Sequence, residues 1–243
     1  QIITEYSQGE SANSLSKKYN INISTIMRLL RKQEVPIRSI SENVNKALSL
    51  EDPIRESLIF SNSFKSMLIG LLCGDGSLRK VGKGKYPQYI HTDKHLEYIE
   101  WLKTQFENQF IRCSNVWYNK YNNCYSFQTQ TLKAYEDLYY MFYKQSSRKT
   151  VESIVINPVI LKYWYIGDGN VKKNKDSKNR ATEITCKWYC PVIESQFVRI
   201  FGEGCKYSYS SSKYYFPVKY RNQFIEYIEN NDTDCYNYKF IKN

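Results

Sequence analysis

The sequence predicts an α+β fold in which one αββαββα unit occurs twice, preceded by a small all-α domain. Two apolar segments, Leu68–Gly76 and Leu161–Gly169, have helical spacing and end in Gly-Asp-Gly. Similar helix and strand patterns follow both segments. A duplicated helix that delivers one acid per copy, Asp75 and Asp168, indicates a pseudo-twofold site with two matched carboxylates.

Residues 1–38 have the pattern of three short helices. Ser11 is the expected N-cap of the second helix, and Ser24 that of the third, whose Ile26, Leu29 and Leu30 are expected to face inward. Two helices joined by a short turn, with a basic second helix, are typical of a helix-turn-helix, and the segment resembles the resolvase-like form. A small packing subdomain is the alternative. The expected DNA contacts on the third helix are Ser24, Thr25, Arg28 and Arg31.

Two predicted repeats, residues 64–157 and 158–243, follow a linker at residues 39–63. Asn122-Asn123 is the expected turn of a hairpin in the first repeat. The other predicted elements after the motif helices are a strand near 85–92, helices at Leu96–Phe106 and Leu132–Phe142, strands near 180–187, a helix from Pro191, a hairpin across 205–219 and a helix at 221–229.

The composition favours a polyanionic partner over a merely basic globular protein. The 243 residues carry 35 Lys and Arg against 24 Asp and Glu, a net charge of +11. The chain has no apolar run of about 18 residues, so no membrane span is expected. Seven Cys without a Cys-x-x-Cys pair, and two His, favour packing thiols in a reduced intracellular compartment over a zinc site. The many Tyr, Lys and Asn are typical of AT-rich genomes, including organellar ones.

Gly70 lies in the middle of the first motif helix, where glycine costs about 1 kcal/mol relative to alanine. That cost is explained if another helix backbone approaches this face closely. We expect the partner to be the second motif helix, which carries Tyr163 at the corresponding position.

The motif acids are placed at helix C-termini, where the helix dipole disfavours negative charge by up to about 1 kcal/mol. Two such helices packed together would bring two carboxylates and several carbonyl oxygens close to one another. A hard divalent cation relieves that repulsion, because these oxygens are its preferred ligands. The pattern therefore predicts Mg²⁺ or Mn²⁺ at Asp75 and Asp168.

These segments resemble the two motifs of the LAGLIDADG homing endonucleases, specifically the monomeric two-repeat members from introns. The resemblance covers residues 64–243. It includes the basic pair in Arg148-Lys149-Thr150, the final Tyr238-Lys239 and a polar strand residue at Gln88, with Thr185 as its counterpart in the second copy.

The resemblance implies a saddle-shaped sheet over double-stranded DNA with a long specific target site. It implies metal-dependent hydrolysis across the minor groove, leaving short 3′ overhangs. Asp75 and Asp168 would be metal ligands, assisted by the carbonyls of Gly74 and Gly167. Lys149 and Lys239 would polarise water or stabilise charge on phosphorus, with Gln88 and Thr185 beside the two sites.

The sequence departs from the family pattern just before each motif acid. Many members carry an acid where this chain has Cys73-Gly74 and Ile166-Gly167. These positions vary without supplying the main ligand, so activity is still expected. Tyr163 and Trp164 make the second helix bulky, as in the second motif of two-repeat intron enzymes.

Basic stretches leave both motif helices and are expected to flank DNA phosphates. Polar residues on one face of the strands would reach base edges in the major groove. In the first repeat the expected DNA contacts are Arg79, Lys80, Lys83, Lys85, Ser126, Gln128 and Gln130. In the second repeat they are Lys172, Lys173, Lys175, Lys178, Arg180, Lys206, Ser208 and Ser210.

Two alternatives to a monomeric DNA endonuclease remain open in the sequence. A regulator of this fold would bind DNA without cutting, but such a protein would be expected to lose the acids, and both are present. A maturase would bind the host intron RNA, and nothing in the residues excludes this as a second activity.

Overall fold

A computed structural model of the chain describes residues 1–39, 55–80, 85–143, 150, 154–173, 180–229 and 232–243. The chain divides into two compact units, Gln1–Ser57 and Leu58–Asn243. Most of the expected linker, residues 40–54, lies outside the described part. Within the described part, no helix combines the length and apolar character needed to cross a membrane.

The N-terminal unit contains three short helices around a small core. Tyr6, Leu15, Ile26 and Leu30 are its buried residues. The helices are α1 (Ile2–Gln8), α2 (Ala12–Tyr19) and α3 (Ile23–Lys32).

The helix caps of this unit agree with the sequence in one case and differ in the other. Ser11 caps α2 as expected, accepting a hydrogen bond from the Ser14 amide at 3.0 Å. The cap of α3 is Asn22, whose side chain accepts from the Ser24 amide at 2.9 Å. The prediction that Ser24 is the cap is therefore wrong, because asparagine caps as well as serine and lies two residues earlier.

The C-terminal unit contains two copies of the same element order, which confirms the predicted α+β duplication. The first copy consists of α4 (Asn62–Cys73), β1 (Ser77–Lys80), β2 (Pro87–Asp93), α5 (Leu96–Glu107), β3 (Trp117–Asn119), β4 (Cys124–Thr131) and α6 (Glu136–Tyr143). The second consists of α7 (Pro158–Asp168), β5 (Gly169–Lys173), β6 (Arg180–Thr185), α8 (Pro191–Phe201), β7 (Lys206–Ser208), β8 (Lys213–Phe216) and α9 (Arg221–Ile228). Short 3₁₀ helices span Lys133–Tyr135, Val218–Tyr220 and Asp234–Lys239.

Each copy forms a four-stranded antiparallel sheet with equivalent strand orders, β1-β2-β4-β3 and β5-β6-β8-β7. Side chains from one face of each sheet enter one core that spans both copies, in keeping with the alternation of side chains along a strand. Leu78, Tyr89 and Phe127 face this core from the first sheet, and Ile184 and Tyr214 from the second. The opposite sheet faces are left for polar side chains.

Gly70 allows the two motif helices, α4 and α7, to pack backbone against backbone. A Cβ built on Gly70 would lie 2.5 Å from the Ile160 carbonyl oxygen and 2.9 Å from Tyr163 Cβ. No side chain fits there unless one helix moves, since the first obstacle is main chain. The close approach expected from the sequence is confirmed, with α7 as the partner.

We expect Gly70→Ala to destabilise the protein, although alanine favours a helix. The extra methyl must push α7 away from α4, which costs about 1–3 kcal/mol. Chemical denaturation measures the effect, with Lys65→Ala on the exposed face of α4 as the control, expected to change stability by less than about 0.5 kcal/mol. A Gly70→Ala variant as stable as the wild type would contradict this packing.

Candidate active site

The C-terminal tips of α4 and α7 touch through their glycines. A Cβ built on Gly74 would lie 3.3 Å from Gly167 Cα, and one built on Gly167 would lie 3.2 Å from the Asp75 amide nitrogen. Asp75 follows Gly74 and is exposed, while Asp168 follows Gly167 and is half-buried. The structure therefore brings the two motif acids together at one place.

Asp75 opens into a cavity of about 260 Å³ on one side of the joined tips. Its lining includes Thr92 and Lys94 from the end of β2 and Gly167 from the opposite motif helix. It also includes Lys239 from residues 234–243, called the C-terminal segment below. An acid from one helix thus shares a cavity with the glycine of the other.

Asp168 opens into a second cavity, of about 770 Å³. Here the crossed partner is Gly74, and the lining includes Thr185 and Lys187 from the end of β6, together with Thr150. Each cavity therefore contains one motif acid, one glycine from the other helix, and a threonine and a lysine two residues apart.

The strand registers show that the matching threonines and lysines are pseudo-twofold equivalents. Ser77 pairs with Ile90 across β1 and β2, and Asn170 pairs with Glu183 across β5 and β6. Ser77 and Asn170 each lie two residues after their motif acid. Ile90 in β2 is therefore equivalent to Glu183 in β6. Two residues after these, Thr92 is equivalent to Thr185, and four residues after them, Lys94 is equivalent to Lys187.

The sequence-based pairing of Gln88 with Thr185 is wrong, because the register relates Gln88 to Ala181. Gln88 lies four residues before Thr92, about 13 Å along an extended strand. Its amide lies within hydrogen-bond distance of Gln128 and Arg79 on the polar sheet face, and it does not line the Asp75 cavity. Thr92, Lys94 and Lys187 were missed, because only the register reveals their match.

Asp93 also lines the Asp75 cavity, but its carboxylate is engaged within the protein. One oxygen accepts from the His95 amide at 2.7 Å, and the other accepts from the Tyr236 hydroxyl. Asp93 is buried, and burial next to it raises the pKa of Tyr236 above its usual value. Asp93 therefore ties the C-terminal segment to the first repeat.

Lys239 is a buried lysine with its ammonium at the helix tips. Its Nζ donates to the Ile166 carbonyl at 2.6 Å and lies 3.4 Å from the Gly167 carbonyl oxygen. Burial lowers the pKa of Lys239 to about 8, although the charges of Asp75, Asp93 and Asp168 oppose the shift. The ammonium is thus held at the helix tips, and the side chain lines the cavity of Asp75.

The donor set at the tips fits a hard divalent cation. Each cavity offers a carboxylate and a glycine of the other helix, whose carbonyl supplies oxygen of the kind Mg²⁺ prefers. Across the described residues, no group of three or more His, Cys, Asp or Glu side chains could hold a metal. Because Asp93 is engaged within the protein, each cavity offers a cation one motif carboxylate, to be completed by carbonyl and other oxygen ligands.

The polar face of the first sheet carries most of the expected DNA contacts of that repeat. Arg79 donates to Gln128 at 2.8 Å, and Arg112 donates to Gln130 at 3.0 Å. Ser126 is buried and bonds Thr92 at 2.8 Å. Arg112 was not expected from the sequence, because it precedes the strands and reaches the face only through Gln130.

Two expected DNA contacts lie on the other side of their sheets. Lys80 alternates with Arg79, so its amine turns towards α6, 3.3 Å from the Tyr140 hydroxyl. Arg180 lies on the same strand face as the buried Thr182, and it donates to the Lys242 carbonyl at 3.4 Å. As DNA contacts both stay predictions, but neither side chain lies on the polar face of its sheet, because side chains alternate along a strand.

The polar face of the second sheet carries two lysines that share one glutamate. Lys172 and Lys213 both approach Glu183, at 3.5 and 2.9 Å. Lys206 is exposed on β7, and β7 ends at Ser208, so Ser210 lies in the turn, 3.3 Å from Ser208. Tyr209, also in this turn, is 71% exposed.

The remaining expected DNA contacts are either exposed or outside the described part of the chain. Lys85 is exposed and lies 4.7 Å from the Tyr86 ring. In the N-terminal unit, Thr25, Arg28 and Arg31 are exposed on α3, as is Ser24. Four expected residues lie outside the described part, as does the side chain of Lys173: Lys83, Lys149, Lys175 and Lys178.

Comparison with known proteins identifies the family. Residues 65–222 match the LAGLIDADG DNA endonuclease family, and the chain belongs to that family. Its structure is similar to that of the homing endonuclease I-WcaI bound to its DNA recognition sequence, with a TM-score of 0.62 and 21% identity over 76% of this chain and 88% of that one. This likeness supports the fold.

The chain is also similar to an uncharacterized protein of Methanocaldococcus jannaschii. The two are 26% identical over 130 residues, which cover 48% of this chain and 47% of the relative. The match thus spans about half the length of that relative.

The buried Lys239 makes stability depend on pH in a defined direction. Its pKa is about 8 in the folded protein against 10.5 for an ordinary lysine, so the unfolded chain binds more protons between these values. Stability relative to a Lys239→Met variant should therefore rise between pH 8 and 10.5, by about 1–3 kcal/mol. Urea denaturation of both proteins without divalent metal measures the difference. A difference that is constant or falls with pH would contradict the burial of this amine.

Proposed function

We propose that this chain is a monomeric, site-specific homing endonuclease that cuts both strands of a DNA duplex. The observation that carries the proposal is the pair of crossed cavities at the joined helix tips, one around Asp75 and one around Asp168. Two equivalent sites in one chain match two antiparallel strands of a duplex, which are themselves related by a twofold axis.

The chain's own oxygens would hold the metal. Asp75 with the Gly167 carbonyl, and Asp168 with the Gly74 carbonyl, would bind Mg²⁺ or Mn²⁺. When bound, the cation would stabilise charge on the scissile phosphate and on the leaving oxygen. As the resemblance to the LAGLIDADG homing endonucleases implies, the two scissile phosphates would lie across a minor groove, and cutting would leave short 3′ overhangs.

The remaining side chains of each cavity would bind and orient the phosphate and the attacking water. Lys94 and Lys187 are exposed cations at equivalent positions, suited to neighbouring phosphates. Thr92 and Thr185 can hydrogen-bond a water or a phosphate oxygen. Lys239 can stabilise negative charge on the Asp75 side, as Lys149 would on the Asp168 side.

The polar sheet faces would recognise a long target. Arg79 and Arg112 can pair with phosphate or guanine, and they orient Gln128 and Gln130, which can read base edges in the major groove. Lys172, Lys206 and Lys213 supply positive charge from the second sheet. The net charge of +11 supports the same partner.

Residues 1–38 would extend the footprint as a helix-turn-helix. The exposed residues of α3 include Thr25, Arg28 and Arg31, on the side opposite the buried Ile26 and Leu30. A basic, exposed second helix of this kind is suited to lie in a major groove.

Replacing both motif acids tests the catalytic assignment. The substrate is a target duplex that the wild type selects from a randomised library. We expect the double variant Asp75→Asn, Asp168→Asn to lose cleavage of this duplex, because an amide lacks the negative charge that binds the metal. Its affinity for the duplex should stay within about threefold of the wild type, because the amide keeps the shape of the side chain. The readouts are strand-resolved cleavage with and without Mg²⁺, and binding in Ca²⁺. Asp137→Asn, an exposed acid of α6, is the matched control.

Cleavage that survives the double change would refute the assignment. Tight, specific binding by the wild type without cleavage in any divalent metal would instead identify a DNA-binding regulator.

The role of α3 is tested by replacing Arg28 and Arg31 with glutamine in the full chain. Each lost phosphate contact should weaken binding and reduce the salt slope of log affinity by about 1. The cut position should not change, because the acids lie in the other unit. Lys17→Gln on α2 is the control, being an exposed lysine of the same unit. An unchanged salt slope, or a shifted cut, would contradict the helix-turn-helix assignment.

A further inference from the structure

The first residue of α9, Arg221, is an unusual side chain because it is fully buried. Burying a guanidinium is costly unless it is hydrogen-bonded and paired. None of the ion pairs among the described residues includes Arg221. Its hydrogen bonds end instead on neutral oxygens. An arrangement this costly needs an explanation.

The acceptors of Arg221 belong mainly to the C-terminal segment, residues 234–243. Its guanidinium donates to the carbonyl of Lys239 and, at 3.0 and 3.2 Å, to the carbonyl of Ile241. It also donates to the hydroxyls of Tyr165 and Thr182, both at 2.8 Å. The guanidinium fork thus joins α9 to the C-terminal segment, to α7 and to β6.

Tyr165 completes a relay to the same carbonyl. Its hydroxyl accepts from Arg221 and donates to the Lys239 carbonyl at 2.9 Å. Two buried side chains therefore converge on one main-chain oxygen, that of the residue whose ammonium reaches the helix tips.

Both ends of Lys239 are consequently fixed to the second motif helix. Its carbonyl is held by Tyr165, and its Nζ donates to the carbonyl of Ile166, the next residue of α7. The side chain lines the Asp75 cavity, whereas the Asp168 cavity has a different lining. The hydrogen bonds thus place one lysine beside one of the two acids.

We propose that Arg221 and Tyr165 are positioning residues that hold the C-terminal segment so that Lys239 serves the Asp75 cavity. This inference rests on the proposed endonuclease function. Since Lys239 lies in one cavity, loss of its position should slow cleavage of one strand and spare the other. A purely structural role would affect both strands in parallel with stability.

Strand-resolved cleavage of the full chain tests the proposal. The probe is the duplex recovered with the wild type from a randomised library, labelled differently on its two strands. Arg221→Met should slow one strand by about 100-fold and Tyr165→Phe by about 10-fold, so that a nicked product accumulates, with little change in affinity. The slowed strand should be the one slowed by Lys239→Met. Arg221→Lys, which keeps charge but loses the fork, should fall between Arg221→Met and the wild type.

Two control variants separate positioning from general damage. Ile228→Ala removes a buried side chain from α9 and should lower thermal stability without changing the ratio of the strand rates. Arg199→Met removes an exposed arginine of the same repeat and should change neither. Equal slowing of both strands by Arg221→Met, slowing of the strand opposite to that of Lys239→Met, or unchanged rates would overturn the proposal.

Hydrogen exchange of the DNA-free protein keeps the test independent of cleavage. Arg221→Met and Tyr165→Phe should raise exchange in peptides covering the C-terminal segment, while peptides of α4 keep wild-type protection. If the wild type cuts no duplex, the proposed function fails. The exchange experiment still decides whether these residues hold the segment, and wild-type protection in both variants would refute that they do.

Discussion

The structure depends on the main-chain contact between α4 and α7. Gly70 removes the side chain that would separate the helices, and Gly74 and Gly167 let their tips meet. This contact decides where the acids lie: each leaves its helix beside the glycine of the other, so the two cavities are crossed. If a side chain at one of these glycines pushed α4 and α7 apart, each acid would lie farther from the glycine carbonyl of the other helix. The sheets that follow the two helices would move with them.

The duplication could be predicted because each of its signals lies within a short stretch of sequence. Apolar helical spacing, the Gly-Asp-Gly endings and the turn at Asn122-Asn123 each depend on a few neighbouring residues, and Asn123 does adopt a positive φ of 52°. The role of Gly70 also followed from a local cost. The N-cap of α3 was misplaced by two residues, because Asn22 and Ser24 are equally good caps and only coordinates distinguish them.

The candidate site was less predictable, because it depends on register and on contacts between distant residues. The equivalence of Thr92 with Thr185 requires knowing which residues face each other across two sheets, and Gln88 was chosen in error for that reason. The sheet side on which Lys80 and Arg180 lie likewise follows from strand alternation, which a run of basic residues does not show. Arg221 gave no signal in the sequence, since an arginine that starts a helix usually faces solvent, and its partners follow or precede it by up to 56 residues.

The two cavities have equivalent motif acids, but Lys239 and the residues that hold it serve only the Asp75 cavity. Lys239 and Arg221 are buried cations, and both reduce stability unless their hydrogen bonds are complete. Holding a lysine of lowered pKa near carboxylates is reasonable at the proposed site, where phosphate charge would have to be accommodated. Anomalous diffraction from crystals of the chain with its target duplex and Mn²⁺ would locate the metal directly. We expect anomalous peaks beside Asp75 and Gly167 and beside Asp168 and Gly74, with a scissile phosphate of a different strand at each. Manganese elsewhere, or both acids beside the same strand, would contradict this assignment.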